Sequence, residues 1–168
     1  MPKIAESNSR SRKVEEVIIR LLTKRRQTLA LAESCTGGCI AHRLTNVPGA
    51  SKIFVGGIVA YGNAAKQKFL GVRAETLARQ GAVSETVAGA MAEGARAKFG
   101  ADFAIAVTGI AGPTGGTKIK PVGTVFIALS SALGTIVERQ FNPCGRKRFK
   151  DLTAQQALEM LQAQLISV

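Results

Sequence analysis

Ser34 occupies a position at which a serine could act as a nucleophile. It follows a short apolar run at residues 28–33 that predicts a buried strand, and Gly37 and Gly38 come soon after it. A serine at a strand-to-helix corner, with backbone N–H groups beside it, has the arrangement of a nucleophile elbow with its oxyanion hole. The glycines would let the chain turn sharply and let a substrate approach the backbone. The alternative is that Ser34 only caps the helix that follows.

Two residues could serve as the base that a nucleophilic serine requires. His42, the only histidine, lies on the helix predicted after Ser34, and its alternative role is that of an ordinary surface or packing residue. Lys66 follows Tyr61, the only tyrosine, by five residues. A lysine removed from water can lose its charge and act as a base, whereas the alternative is a lysine on a solvated helix face. A hydrolase built on Cys35 and His42 is a further alternative.

A glycine-rich loop at residues 109–116 follows the strongly apolar run 102–108, which ends in Thr108. The loop has neither the Gly-x-Gly-x-x-Gly pattern of dinucleotide-binding folds nor the Gly-Lys-Ser/Thr of a Walker A loop. Its backbone N–H groups could still form a nest for an anion. The alternative is a flexible turn without a ligand.

The three cysteines, Cys35, Cys39 and Cys144, form neither a recognisable metal site nor a disulfide framework. Two of them lie four residues apart on one predicted helix face and the third is remote in the sequence. Two neighbouring thiols do not complete a zinc site, and one histidine leaves few other ligands. Cysteines without an export signal indicate a reducing, cytoplasmic setting. We therefore predict buried, apolar cysteines, and neither a metal nor a cofactor.

Apolar periodicity predicts the elements that would position these residues. Short apolar runs alternate with segments of helical period, which is typical of an α/β protein. We predict a three-layer α/β/α sandwich with a mixed, mostly parallel sheet of about five strands and helices on both faces. Ligands of such sheets bind at the carboxyl ends of strands, and three predicted strand ends carry the positions described above. The predicted strands cover residues 28–33, 54–61, 102–108, 122–130 and 135–141. The predicted helices cover residues 14–26, 40–46, 64–70, 74–80, 85–99 (capped by Ser84 and Gly100) and 148–165.

The size and polarity of the chain exclude several classes of protein. Its 168 residues, 46% of them hydrophobic, suffice for one domain with a proper core and are too apolar for a disordered chain. No apolar run approaches the roughly 20 residues that span a bilayer. The basic start lacks the hydrophobic stretch of a secretory signal. We predict a frayed or disordered tail at residues 1–12, a single domain at residues 13–168, and a cytoplasmic location without membrane contact.

The formal net charge of +12 is concentrated in two short segments. Residues 1–27 and residues 139–150 each carry a net charge of +5, which leaves the rest of the chain almost balanced. Such a field favours an anionic partner, either a phosphorylated small molecule or a nucleic acid. Aromatic residues make up only 5% of the chain and tryptophan is absent, which argues against a nucleic-acid-binding module. The phosphorylated small molecule is therefore the preferred prediction.

Five segments of the chain, taken in order, form a recognisable set. They are Ala32-Glu-Ser-Cys-Thr-Gly-Gly38, Val59-Ala-Tyr-Gly-Asn-Ala-Ala-Lys66, Gly81-Ala-Val-Ser84, Val107-Thr-Gly-Ile-Ala-Gly-Pro113 and Lys120-Pro-Val-Gly-Thr124. Together they closely resemble the CinA C-terminal domain family, whose stand-alone members include nicotinamide-nucleotide amidohydrolases. The resemblance runs from about residue 13 to the C-terminus. It implies hydrolysis of nicotinamide mononucleotide to nicotinate mononucleotide and ammonia without a metal, in pyridine nucleotide recycling.

The resemblance also implies roles for individual residues. It places the serine nucleophile at Ser34, the lysine base at Lys66 and a supporting tyrosine at Tyr61. A substrate-binding arginine falls on Arg146, although Arg148 stays open because this chain lacks the Gly-Asp-Arg that the family often shows there. The remaining predicted substrate-binding positions are Thr36, Gly37 and Gly38, whose backbone would hold the oxyanion, and Thr108, Gly109 and Gly112.

Two further expectations come from the resemblance. The first is a homo-oligomer, a dimer, for which the apolar strands of the predicted hairpin could form the interface. The second is an alternative function, a catalytically weak domain that binds nucleotide without turnover or acts in competence or DNA damage. Release of ammonia from nicotinamide mononucleotide would discriminate between the enzyme and this alternative.

Overall fold

The computed structural model describes residues 13–167, and the predicted tail at residues 1–12 lies outside this range. The described residues form five strands, six α-helices and one turn of 3-10 helix at Ala50–Lys52. The strands are β1 (Leu29–Glu33), β2 (Phe54–Val59), β3 (Phe103–Gly109), β4 (Thr124–Ser131) and β5 (Gly134–Phe141). The helices are α1 (Val14–Arg25), α2 (Cys39–Thr45), α3 (Asn63–Leu70), α4 (Ala74–Gln80), α5 (Glu85–Phe99) and α6 (Arg146–Ile166).

The strands form one mixed sheet in the order β2-β1-β3-β4-β5. β1 pairs in parallel with β2 and with β3, while β4 pairs antiparallel with β3 and with β5, so that four of the five strands run in the same direction. Glu33 at the end of β1 is in register with Val59 of β2 and Val107 of β3. The carboxyl ends of the three parallel strands therefore lie side by side, as the predicted sandwich requires.

The two faces of the sheet carry side chains of different size. On β1, Leu29 and Leu31 belong to the core cluster formed with α1, α2 and α6, whereas Ala30 and Ala32 belong to the cluster formed with α3, α4 and α5. β3 repeats this division, because successive side chains of a strand point to opposite faces. Helices therefore cover both faces and the predicted three-layer α/β/α architecture is confirmed. None of the helices within residues 13–167 has the length and apolarity needed to cross a membrane.

The two caps predicted for α5 are present. The Ser84 side chain accepts a hydrogen bond from the N–H of Val87, and Gly100 ends the helix with a positive φ of 59°. The start predicted for α6 at residue 148 is two residues late, since the helix begins at Arg146. The N–H of Phe149 already donates to the carbonyl of Gly145, and the buried Phe149 ring anchors this first turn in the core.

Candidate active site

A cavity of about 280 Å³ lies at the carboxyl ends of the three parallel strands. Residues from the ends of β1, β2 and β3 meet there with side chains from α3 and from the first turn of α6. The site thus lies where ligands bind in open α/β sheets. It is lined by Ser34, Cys35, Tyr61, Asn63, Lys66, Ala82, Val83, Thr108, Gly109, Ile110, Ala111, Gly112, Thr114, Gly115 and Arg146.

Ser34 and Lys66 are in direct contact at the base of this cavity. Lys66 Nζ lies 3.0 Å from Ser34 Oγ, although the two residues are 32 positions apart in the sequence. Ser34 is fixed by its own N–H, which donates to the carbonyl of Val107 on β3. Lys66 reaches it from the inner face of α3, the helix that begins four residues after β2 ends. The structure therefore brings together the predicted nucleophile and the predicted base.

The environment of Lys66 favours a neutral amine. Its side chain is among the largest fully buried ones, with 1% of its surface exposed, and no carboxylate pairs with it in the described part of the chain. Burial is the main cause that lowers the pKa of Lys66 from its usual value. Nζ lies 2.9 Å from the carbonyl oxygen of Ala60 and 3.4 Å from that of Tyr61. A neutral amine has two hydrogens for these carbonyls and one lone pair, which then faces the hydroxyl of Ser34.

The turn between β1 and α2 is organised around the carboxylate of Glu33, which the sequence did not single out. Thr36 is completely buried, and its hydroxyl donates to Glu33 Oε2 at 2.6 Å. The N–H of Gly38 donates to the same oxygen at 2.9 Å, and the N–H of Gly37 donates to the carbonyl of Ser34. The hydroxyl of Thr36 and the N–H groups of Gly37 and Gly38 are therefore engaged within the protein, and none of the three residues is among those that line the cavity. Their contact with substrate stays a prediction.

The N–H groups of Cys35 and Thr36 are the other donors of this turn. Neither N–H donates to a protein carbonyl or carboxylate within residues 13–167. Both lie near the sulfur of Cys35, where they lower the pKa of the thiol against the larger, opposite effect of its burial. They stand directly after Ser34, in the position that an oxyanion hole takes in a nucleophile elbow. Of the three predicted oxyanion-hole positions, Thr36 therefore keeps an N–H that could serve, and Cys35 adds a second one.

Tyr61 and Arg146 form a pair at the mouth of the cavity. Arg146 Nη2 donates to the hydroxyl of Tyr61, and Arg146 Nη1 donates to the carbonyl of Gly112 at 2.9 Å. Tyr61 accepts a hydrogen bond from Lys66 Nζ through its backbone carbonyl, and 59% of its surface is exposed. Of the two arginines left open by the sequence, Arg146 lines the cavity and Arg148 does not.

The end of β3 and the loop after it also line the cavity. Thr108 is buried, and its hydroxyl donates to the carbonyl of Ala82 at 2.8 Å, which leaves its oxygen free to accept. Gly109 and Gly112 also line the cavity. Gly112 has a positive φ of 72°, and a Cβ there would lie 2.5 Å from Val122 Cγ1. The three predicted positions Thr108, Gly109 and Gly112 therefore all line the cavity, and Arg146 fixes the loop by its hydrogen bond to the carbonyl of Gly112.

The rival nucleophile, Cys35, is poorly suited to form a thiolate. Burial raises the pKa of Cys35 to about 12, and the nearby charge of Glu33 acts in the same direction. His42 is exposed on α2 and lies 3.1 Å from Asn46 Nδ2 rather than against the thiol. All three cysteines are free, but only Cys35 is buried as predicted, because Cys39 and Cys144 are half-exposed. Within residues 13–167 no group of three or more His, Cys, Asp or Glu side chains could hold a metal ion.

Several residues of the site carried no usable signal in the sequence. Asn63, Thr114 and the pair Ala82–Val83 line the cavity, but polar or small residues after strands are too common to be singled out. Glu33 did carry a signal, since it is the only charged residue in the otherwise apolar run of β1. A carboxylate is buried only when its charge is compensated, and this rule could have identified it.

Comparison with known proteins identifies the family of this chain. Residues 11–165 match the model of the CinA C-terminal domain. CinA-like proteins of Parasynechococcus marenigrum (strain WH8102) and Thermotoga maritima are 50% and 48% identical over 153 and 154 residues. These matches cover 90% and 91% of this chain but only 36% and 37% of the relatives, so the chain spans little more than a third of their length.

Solved structures agree with the family match. The competence/damage inducible protein CihA of Agrobacterium tumefaciens has a TM-score of 0.85 at 43% identity, covering 89% of this chain and 94% of that one. A CinA superfamily protein of Klebsiella pneumoniae has a TM-score of 0.88 at 33% identity, covering 94% and 100%. The residues matched by the family model include all five strands and every residue that lines the cavity. The chain belongs to the CinA C-terminal domain family.

Proposed function

We propose that this chain is an amidohydrolase that converts nicotinamide mononucleotide and water to nicotinate mononucleotide and ammonia, in the recycling of pyridine nucleotides. The observation that carries the proposal is the 3.0 Å contact between Ser34 Oγ and the amine of Lys66, a buried lysine without a carboxylate partner among the described residues. Such a lysine is a base at moderate pH, and a serine in contact with a base is an activated nucleophile. Family membership supports the assignment.

The first half of the reaction forms an ester on Ser34. Its oxygen attacks the carboxamide carbon while its proton passes to Lys66 Nζ. The tetrahedral intermediate places its negative oxygen near the N–H groups of Cys35 and Thr36. When the intermediate collapses, the carbon–nitrogen bond breaks and the leaving nitrogen takes the proton from Lys66, which releases ammonia.

The second half of the reaction restores the enzyme. A water molecule gives a proton to Lys66 as its oxygen attacks the ester carbon. The bond to the Ser34 oxygen then breaks, and this oxygen recovers a proton from Lys66. One water is consumed, one ammonia and one carboxylic acid are formed, and the same base acts in both halves.

The charge of the cavity fits a phosphorylated substrate. Arg146 is the permanent cation among the lining residues, and no carboxylate is found among those that the structure describes. A guanidinium can bind two phosphate oxygens at once, and the glycine-rich loop adds backbone N–H groups. The remaining cations of the 139–150 segment would raise the local concentration of an anionic substrate.

Ammonia release from nicotinamide mononucleotide by the wild-type protein tests the proposed function. We expect turnover whose rate rises with pH as Lys66 loses its proton, at a pKa below the usual value for lysine. Calorimetry with the same nucleotide distinguishes the alternative function, because binding without ammonia release at any pH up to 10 would identify a domain that binds nucleotide only. A rate that falls as pH rises would contradict Lys66 as the base.

Replacement of Arg146 by lysine is expected to raise KM for the mononucleotide about tenfold with a smaller effect on kcat. Lysine keeps the charge but loses the planar fork that binds two oxygens, and it cannot hold Tyr61 and Gly112 together. Steady-state kinetics of ammonia release measure the change. Arg148→Lys is the matched comparison, since Arg148 lies outside the cavity. An increase in KM for Arg148→Lys alone would move the phosphate site to that residue.

A further inference from the structure

The carboxylate of Glu33 is held by four hydrogen bonds in a buried position. Its side chain lies at the end of β1 with 2% of its surface exposed. Oε2 accepts from the hydroxyl of Thr36 at 2.6 Å, from the N–H of Gly38 at 2.9 Å and from the N–H of Ile40 at 3.2 Å. Oε1 accepts from the N–H of Ala41 at 2.8 Å. These donors compensate the buried charge and join the strand to the first turn of α2.

The backbone is held by hydrogen bonds both before and after Ser34. On one side the sheet fixes the backbone, because Ala60 N–H donates to the carbonyl of Glu33 and Ser34 N–H donates to that of Val107. On the other side the carboxylate of Glu33 holds the turn that follows Ser34. We propose that Glu33 is a positioning residue that keeps the oxygen of Ser34 on the amine of Lys66. The inference rests on the proposed function, in which these two groups react.

The direction of the carboxylate also matters for Lys66. Glu33 is adjacent to Ser34, yet both its oxygens bond to the turn and to α2, and neither pairs with the amine. A carboxylate that turned towards Lys66 would stabilise its charged form and remove the base. The hydroxyl of Thr36, at 2.6 Å, is the side-chain contact that opposes this rotation. The same four bonds therefore orient the nucleophile and keep the base free of a counter-ion.

Thr36→Val tests this inference more safely than Glu33→Gln, which can unfold the turn because the amide NH2 of glutamine is a donor and would face groups that are donors themselves. Valine has the shape of threonine but removes one bond to the carboxylate. We expect kcat for ammonia release to fall about tenfold, as for the loss of one charge-assisted hydrogen bond, while KM stays within about twofold because Thr36 does not line the cavity. Thr36→Ser restores the hydroxyl and should recover most of the lost kcat.

Thr45→Val is the matched control on the same helix. The hydroxyl of Thr45 is exposed and donates to the carbonyls of Ala41 and His42 rather than to the carboxylate of Glu33. Thermal melting of all variants shows whether each is folded. Wild-type kcat in Thr36→Val would overturn the inference, and so would a loss that Thr36→Ser does not recover or that Thr45→Val shares.

Reaction of Ser34 with a fluorophosphonate separates the inference from the proposed substrate. The rate of labelling, followed by mass spectrometry, reports how well Lys66 activates Ser34 without any nucleotide. If the wild type is labelled but releases no ammonia, the proposed function fails, and a slower labelling of Thr36→Val than of Thr36→Ser still supports the inference. If Ser34 is not labelled and no ammonia is released, both are overturned.

Discussion

Ser34→Ala and Lys66→Met are each expected to lower the rate of ammonia release from nicotinamide mononucleotide by about 10³-fold or more. Alanine removes the atom that attacks the carboxamide, and methionine keeps the length of lysine without its basic nitrogen. The two groups act as a unit across the 3.0 Å contact, so the double variant should be no slower than the slower single one. Assays at equal protein concentration, with melting curves as the folding control, measure the effect.

The outcome of these substitutions separates the serine from the neighbouring thiol. Cys35 lines the same cavity, but burial raises its pKa to about 12 and it has no base of its own. Activity that survives in both Ser34→Ala and Lys66→Met would contradict the mechanism. A loss confined to Cys35→Ala would assign the nucleophile to the cysteine.

Gly94→Ala is expected to destabilise the fold by about 3 kcal/mol, the upper part of the range for overpacking a well-filled interior. A Cβ at Gly94 would lie 1.9 Å from the carbonyl oxygen and 2.8 Å from the carbonyl carbon of Leu70, the last residue of α3. The obstacle is backbone, so α3 must move away from α5. Because α3 also carries Lys66, we expect activity to fall together with stability. The loss of stability can be measured by denaturant unfolding, in which the variant should reach its midpoint at a lower denaturant concentration than the wild type.

Gly89→Ala provides the matched control for Gly94→Ala. It lies on the same helix, and a Cβ there would meet Val137 and Thr135 at ordinary contact distances of 3.7 and 3.8 Å. Alanine is a better helix former than glycine by about 0.8–1.0 kcal/mol, so this variant should be slightly more stable than the wild type. Equal effects of the two substitutions would show that α3 and α5 are not in close contact at Gly94.

The architecture could be predicted from the sequence because its signals are local. Short apolar runs between helical segments indicated the strands, and their carboxyl ends carried Ser34, Lys66 and the loop after Thr108. The order of the strands in the sheet then brings these ends together. The start of α6 was less predictable, since basic residues in a first turn oppose the helix dipole and give no sign that a helix has begun.

The partners within the site could not be derived from spacing alone. The contact of Lys66 with Ser34 depends on the side of β1 to which α3 returns, and the sequence does not state this. The position of Thr36 and Gly38 after Ser34 suggests contact with substrate, whereas in the structure the hydroxyl of Thr36 and the N–H of Gly38 donate to Glu33. A carboxylate in an apolar run indicates that donors are needed, but which groups supply them is a property of the folded turn.

The burial of Lys66 also makes the stability of the whole fold depend on pH. The pKa of this amine is lower in the folded protein than in the unfolded chain, which therefore binds the proton more tightly. Between the two pKa values the free energy of unfolding rises with pH, and below the lower one the folded protein bears the full cost of a buried charge. The proton that must leave before Ser34 can be activated is thus the same proton that weakens the fold.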